Sequence, residues 1–97
     1  MTEHNIALGL QIVPLRTEKH AYDLIDEAIA VIQKSGVRYS ITPFETVMEG
    51  KYSELMSIAE NAQKAVLDAG ADECLIYYRI QLRKSGDVSF EEKNLNR

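Results

Sequence analysis

A chain of 97 residues, 45% apolar and 27% charged, has room for one domain with a modest core. At that size roughly 60–65% of the unfolded surface is buried, so self-association would add useful stability. A net charge of −4 and a pI near 5.1 argue against a polyanion as partner, and the basic cluster Arg79, Arg83 and Lys84 is followed at once by acidic residues. Nucleic acid is therefore not expected. No apolar run approaches the ~20 residues of a membrane span. The start, "MTEHNIALGL", lacks the basic region and small-residue cleavage site of a signal peptide. A lone Cys74 within "ECLIYYRI" reads as a packed thiol. The expectation is a cytoplasmic protein with no membrane contact.

In chain order, Ile6–Leu15 alternates Ile6, Leu8, Leu10 and Ile12 against Ala7, Gly9, Gln11 and Val13, which predicts a strand closed by Pro14. Thr17 is the expected N-cap of a helix whose stripe includes Leu24, Ile25, Ala28, Ile29 and Ile32, and Gly36 ends it. "RYSITPFETVMEG" follows as two short strands, Tyr39–Thr42 and Glu45–Met48, turning through Thr42-Pro43-Phe44-Glu45. Gly50 closes the second arm. A second helix starts at Tyr52 or Ser53, carries Leu55, Ile58, Ala59, Ala62 and Val66, and stops at Gly70. Asp72–Arg83 is the longest strand. "KSGD" turns the chain, and residues 85–97 form a polar tail with one or two helical turns.

The order β-α-β-β-α-β predicts an α+β, ferredoxin-like sandwich: an antiparallel four-stranded sheet with both helices on one face. The core spans about 6–84 of a single domain. The other sheet face then carries Ala7, Gly9, Gln11, Val13, Leu75, Tyr77, Arg79 and Gln81, with Ser40 and Thr42. That mixture is too apolar to stand in water and too polar for a dry core. Two sheets are expected to pack face to face in a homodimer or homotetramer, with Ala7, Gly9, Val13, Leu75, Tyr77 and Arg79 at the interface.

The residues offer little for catalysis. His4 and His20 have no nucleophile beside them in sequence. Pairs such as Asp23/Asp26/Glu27 and Glu91/Glu92 read as solvated faces, with Glu91, Glu92 and Lys93 as tail solvation or an intersubunit clasp. No paired Cys or His spacing suggests a metal, and no glycine-rich loop cradles phosphate. No cofactor is expected, and no metal ligand. The hydroxyls and carboxylates around Pro43 are the best candidates for holding a small molecule.

"VPL" closing the first strand, "AIAVIQKSGVRYSITPFETVMEG", "AQKAVLDAGADECLIYYRIQLR" and "SFEEK" together resemble the thiamine-binding, YkoF-like group, also grouped as UPF0045 proteins. The specific element is P-x-x-T-x-x-E-G, met by Pro43, Thr46, Glu49 and Gly50. The resemblance implies non-catalytic binding of thiamine or its hydroxymethylpyrimidine half, for carriage, buffering or sensing, by an oligomer. Glu45 and Arg16 stand where one branch of the group has glycine. On this reading Glu49 or Glu45 accepts from the ligand's amino group. Thr46, Thr42 or Gln11 donates to a ring nitrogen, and Tyr39, Phe44, Tyr77 or Tyr78 packs on the ring. Each has a plainer role as well: Glu49 precedes a helix and complements its dipole, and Tyr39 and Tyr78 alternate with core residues. The rival readings are a small cofactor-free enzyme of the dimeric α+β barrel type and a regulatory oligomer binding another small ligand.

Overall fold

The alternating first segment becomes strand β1, Asn5–Leu15, whose Ile6, Leu8, Leu10 and Ile12 are all buried. The computed structural model describes residues 4–94, so the first three and last three residues of the chain, including the end of the expected tail, lie outside the described residues. Helix α1 runs Ala21–Ser35 and buries Leu24, Ala28 and Ile32 at a spacing of four. Its N-cap is His20, whose Nδ1 accepts from the Tyr22 amide at 3.2 Å. This corrects the expectation for Thr17, whose hydroxyl instead accepts from the Lys19 amide in the preceding turn at 3.0 Å. Gly36 ends α1 at φ 81°, a left-handed position that favours glycine.

Strands β2, Arg38–Ile41, and β3, Thr46–Lys51, flank the Thr42–Glu45 turn. Gly50 sits inside β3 rather than ending it: helix α2, Tyr52–Ala69, starts directly after Lys51, and a Cβ on Gly50 would lie 3.1 Å from the Leu55 side chain. Helix α2 buries Leu55, Ile58, Ala59, Ala62 and Val66. Strand β4, Glu73–Gln81, leads to a short helix α3, Phe90–Asn94.

The sheet order is β2-β3-β1-β4 with antiparallel neighbours throughout, the ferredoxin-like arrangement. Both long helices cover the face bearing Leu8, Leu10, Ile12 and Met48, and Tyr39, Ile76 and Tyr78 pack at the edge of that core. Pro14 lies within β1, opposite Cys74. β3 follows β1 only as far as the Leu10–Thr46 pair, whereas β4 follows it to Leu15. A strand flanked on one side accepts a proline without breaking a ladder. Arg16, just beyond, adopts φ 52°, the one non-glycine left-handed residue among those described. None of the described helices is long and apolar enough to cross a membrane.

The second sheet face is not bare. The chain after β4 returns across one end of it, where the Val88 amide donates to the Asn5 carbonyl at 3.0 Å and Asp87 accepts from the Asn5 amide at 2.6 Å. Val88 is fully buried by this crossing, and Ala7 is only 5% exposed. Arg38 clasps the segment: it donates to both carboxylate oxygens of Glu91, lies 3.5 Å from Glu49, and stands 4.9 Å over the Phe90 ring. The hydrogen bond from Arg38 holds the Glu91 carboxyl below its ordinary pKa and, reciprocally, pushes the guanidinium upward. Glu91 is thus an intrachain clasp. Glu92 likewise pairs with Arg83 at 2.7 Å.

Candidate functional site

Where β1 outruns β3, its uncovered stretch, the Thr42–Glu45 turn and the N-terminal half of α1 enclose a groove of about 420 Å³. That volume is in the range of small-molecule sites. Its walls are apolar: Ile25 and Ile29 from α1, Ile41 from β2, and Leu10, Ile12 and Val13 from β1. The polar groups are few. Gln11, Thr42, Phe44, Glu45 and Thr46, five of the eight residues assigned to a ligand from sequence, border this one groove.

These five are not equivalent. Thr46 is the buried polar residue among those described, at 8% exposure, and it lines the groove. No buried side-chain nitrogen or oxygen among the described residues is left without a partner, so the Thr46 hydroxyl is no stranded polar group. Thr42 is already engaged. Its hydroxyl donates to the Glu45 carbonyl at 2.7 Å and accepts from the Phe44 and Glu45 amides, so it staples the turn that shapes the groove. The Thr42 amide closes the hairpin onto the Glu45 carbonyl at 2.9 Å. Phe44 is 76% exposed at the groove edge.

Glu45 turns its carboxylate onto the other sheet face. A Cβ built on Gly9 would lie 2.3 Å from Glu45 Oε1, so the carboxylate occupies the space that glycine leaves. It is 20% exposed there and lies 3.9 Å from Arg79. Gly9, Glu45, Arg79 and Gln81 line a second, shallower hollow of about 290 Å³ on that face.

Three sequence candidates lie outside the groove. Glu49 accepts from the Phe90 amide at 2.7 Å and pairs with Arg38, so it anchors the returning C-terminal segment. Tyr39 packs against the core. Tyr78 does too, and its hydroxyl accepts from Gln63 Nε2 at 2.5 Å on the floor of a third hollow, which Met56 and Glu60 also line. By strand register Thr46 and Glu49 fall on opposite faces of β3, so the P-x-x-T-x-x-E-G pattern places its polar members on two sides of the sheet. Among the expected interface residues, Val13, Leu75, Tyr77 and Arg79 remain accessible, with Leu75 44% and Tyr77 51% exposed.

Sequence reasoning passed over the α1 wall of the groove. Tyr22, Ile25, Asp26 and Ile29 follow helical spacing beside the core stripe of Leu24, Ala28 and Ile32. Two adjacent stripes on one helix, one of them ending in an aromatic and a carboxylate, were the available signal. Neither histidine lines the groove: His4 faces Asp87 at 3.6 Å and His20 caps α1. No cluster of possible metal ligands occurs among the described residues.

The subunit is thus ferredoxin-like, with a mainly apolar groove of small-molecule size between helix, strand and turn. The chain belongs to the thiamine-binding protein family, whose model matches residues 8–96. A UPF0045 protein of Clostridium perfringens is 33% identical over 86 residues, covering 89% of this chain and 90% of that one. A UPF0045 protein of Methanothermobacter thermautotrophicus is 30% identical, with 91% of each chain covered. Among solved structures, a DUF77 domain of unknown function from Bacillus cereus superposes with a TM-score of 0.92 at 35% identity, covering 96% of this chain and 89% of that one. A Thermotoga maritima protein provisionally assigned to thiamine biosynthesis or salvage superposes at 0.85 with 23% identity, over 95% and 97% of the two chains.

Proposed function

We propose that this chain binds thiamine, or the hydroxymethylpyrimidine half of it, in the groove between α1, β1 and the Thr42–Glu45 turn, and releases it unchanged. The observation that carries the reading is the mainly apolar groove itself, with Thr46, the buried polar residue among those described, in its lining. A flat pyrimidine packs against Ile25, Ile29 and Ile41, and Thr46 donates to a ring nitrogen. Family membership and the naming of the Thermotoga relative support the ligand class. Carriage, buffering or sensing, rather than turnover, is the role proposed for that binding.

The reading extends to a homodimer or homotetramer. Leu75 and Tyr77 leave an apolar strip on the part of the second sheet face that the C-terminal segment does not cover. Pairing that strip with a second copy would remove it from water.

A thermal-shift titration tests the ligand. At about 100 times the dissociation constant a bound compound adds ~2.7 kcal/mol to the folded state. In a domain of this size that raises Tm by roughly 10 °C or more. Saturable shifts with thiamine or hydroxymethylpyrimidine, absent with an unrelated cation, support the reading; a flat response from a folded protein sinks it.

A further inference from the structure

We propose that the mouth of the groove selects by charge: Tyr22, Phe44 and Asp26 favour a heteroaromatic cation and turn away its phosphorylated form. This rests on the reading above, that the groove takes a thiamine-like ligand. Two large aromatics, Tyr22 at 73% and Phe44 at 76% exposure, stand on different elements but border the same groove. Aromatic rings left in water at one opening offer faces to which a cation is drawn through the ring quadrupole. The Tyr22 ring is positioned, with its centroid 5.2 Å from that of His20 and its amide held by His20 Nδ1.

Asp26 lies one helical turn after Tyr22 and lines the groove beside it. No Lys, Arg or His lines the groove, and no basic side chain pairs with Asp26 among the described residues. Glu45, the other acidic residue of the lining, has its carboxylate over Gly9 beside Arg79. Asp26 is therefore the charge that a ligand meets on entering. Asp26 is exposed at the mouth, so a quaternary ring nitrogen beside it gains a solvent-screened attraction, whereas a phosphate there meets repulsion with no base in the lining to offset it. The start of α1 offers little compensation. The Tyr22 amide is taken by His20 Nδ1, the Asp23 and Leu24 amides by the His20 carbonyl, and Asp23 itself adds negative charge to the first turn.

The test is calorimetric titration of the full chain with three probes that share one pyrimidine: neutral hydroxymethylpyrimidine, cationic thiamine and thiamine monophosphate. Near pH 8, where the pyrimidine is uncharged, thiamine is expected to bind roughly tenfold more tightly than either of the others at low salt. Asp26→Asn should weaken thiamine about fivefold, leave hydroxymethylpyrimidine within about twofold, and narrow the gap between thiamine and its phosphate. Tyr22→Ala, at an exposed position, should weaken thiamine more than hydroxymethylpyrimidine without lowering Tm. Equal wild-type affinity for thiamine and its phosphate would overturn charge selection while leaving the groove as a pyrimidine site. So would an Asp26→Asn effect that is the same for all three probes. Failure of all three to bind would remove the ligand reading, and this inference with it.

Discussion

The substitution Thr46→Val separates a hydroxyl kept for a ligand from one kept for the fold. Thr46 is 8% exposed and lines the groove. Valine has nearly the same shape and β-branching, so β3 and its Leu10 pairing should survive. No buried side-chain oxygen among the described residues is left without a partner, so the free protein does not carry the ~1–3 kcal/mol of a buried unpaired hydroxyl. Replacement should therefore move the stability of the free protein by less than about 1 kcal/mol. In a domain this small that is a Tm change of about 4–8 °C at most. With ligand the effect is a loss. Losing one hydrogen bond to a ring nitrogen costs about 0.5–1.5 kcal/mol, hence roughly 2- to 12-fold in Kd. Melting curves of the free protein and calorimetry with thiamine read the two effects separately. A variant that melts lower and binds thiamine as before would refute the argument, because the hydroxyl would then be serving the fold.

Other expectations follow from the same geometry. Gly9→Ala should expel the Glu45 carboxylate, whose Oε1 stands 2.3 Å from the new Cβ. The backbone gain of about 0.4–1 kcal/mol and the loss of a weak ion pair nearly cancel, so Tm should hardly move while the Arg79 environment changes by NMR; a loss of several degrees would show that the carboxylate supports the sheet. Arg38→Ala removes the contacts to Glu91, Glu49 and Phe90, and hydrogen exchange at the Val88 amide should accelerate while the core amides stay protected. Acid should do the same. The Glu91 carboxyl sits below its ordinary pKa through the Arg38 hydrogen bond, so its contribution is complete above about pH 4–5 and is lost as pH falls through the lowered value; a Val88 protection factor that stays unchanged after Glu91 is fully protonated would refute the clasp. Leu24→Ala, at 1% exposure, should cost about 2–5 kcal/mol by denaturant unfolding. Cys74, whose pKa is raised chiefly by burial and secondarily by Glu73, should react more slowly with a thiol reagent at neutral pH than a free cysteine does.

The fold was legible because its signals are local. Alternation in Ile6–Ile12, the stripe through Leu24, Ala28 and Ile32, and Gly36 at φ 81° each fix an element by short-range sterics and burial. Element ends were less secure. Thr17 has the chemistry of a cap, but the helix begins where His20 can reach the Tyr22 amide, and nothing in composition ranks the two. Long-range partners were not legible at all. Glu49 looked available because its neighbours in sequence leave it free, and the Phe90 amide that it holds is 41 residues away. Glu91 and Arg38 are 53 residues apart and meet only once the tail has crossed the sheet.

The groove itself arises from a mismatch in strand lengths. β1 has 11 residues and β3 six, so after the Leu10–Thr46 pair β1 runs on with only β4 beside it. A proline at position 14 is tolerated on such a one-sided strand and would be costly in the centre of a sheet. The Thr42 hydroxyl then fixes the turn with three hydrogen bonds and keeps β2 and β3 from closing over the gap. Thr46 is the last β3 residue in the ladder with β1, and that places this buried residue at the inner end of the opening. The same turn that looked from sequence like a bend required by Pro43 is therefore what holds the groove open, and the ligand candidates cluster there because that is where the sheet stops.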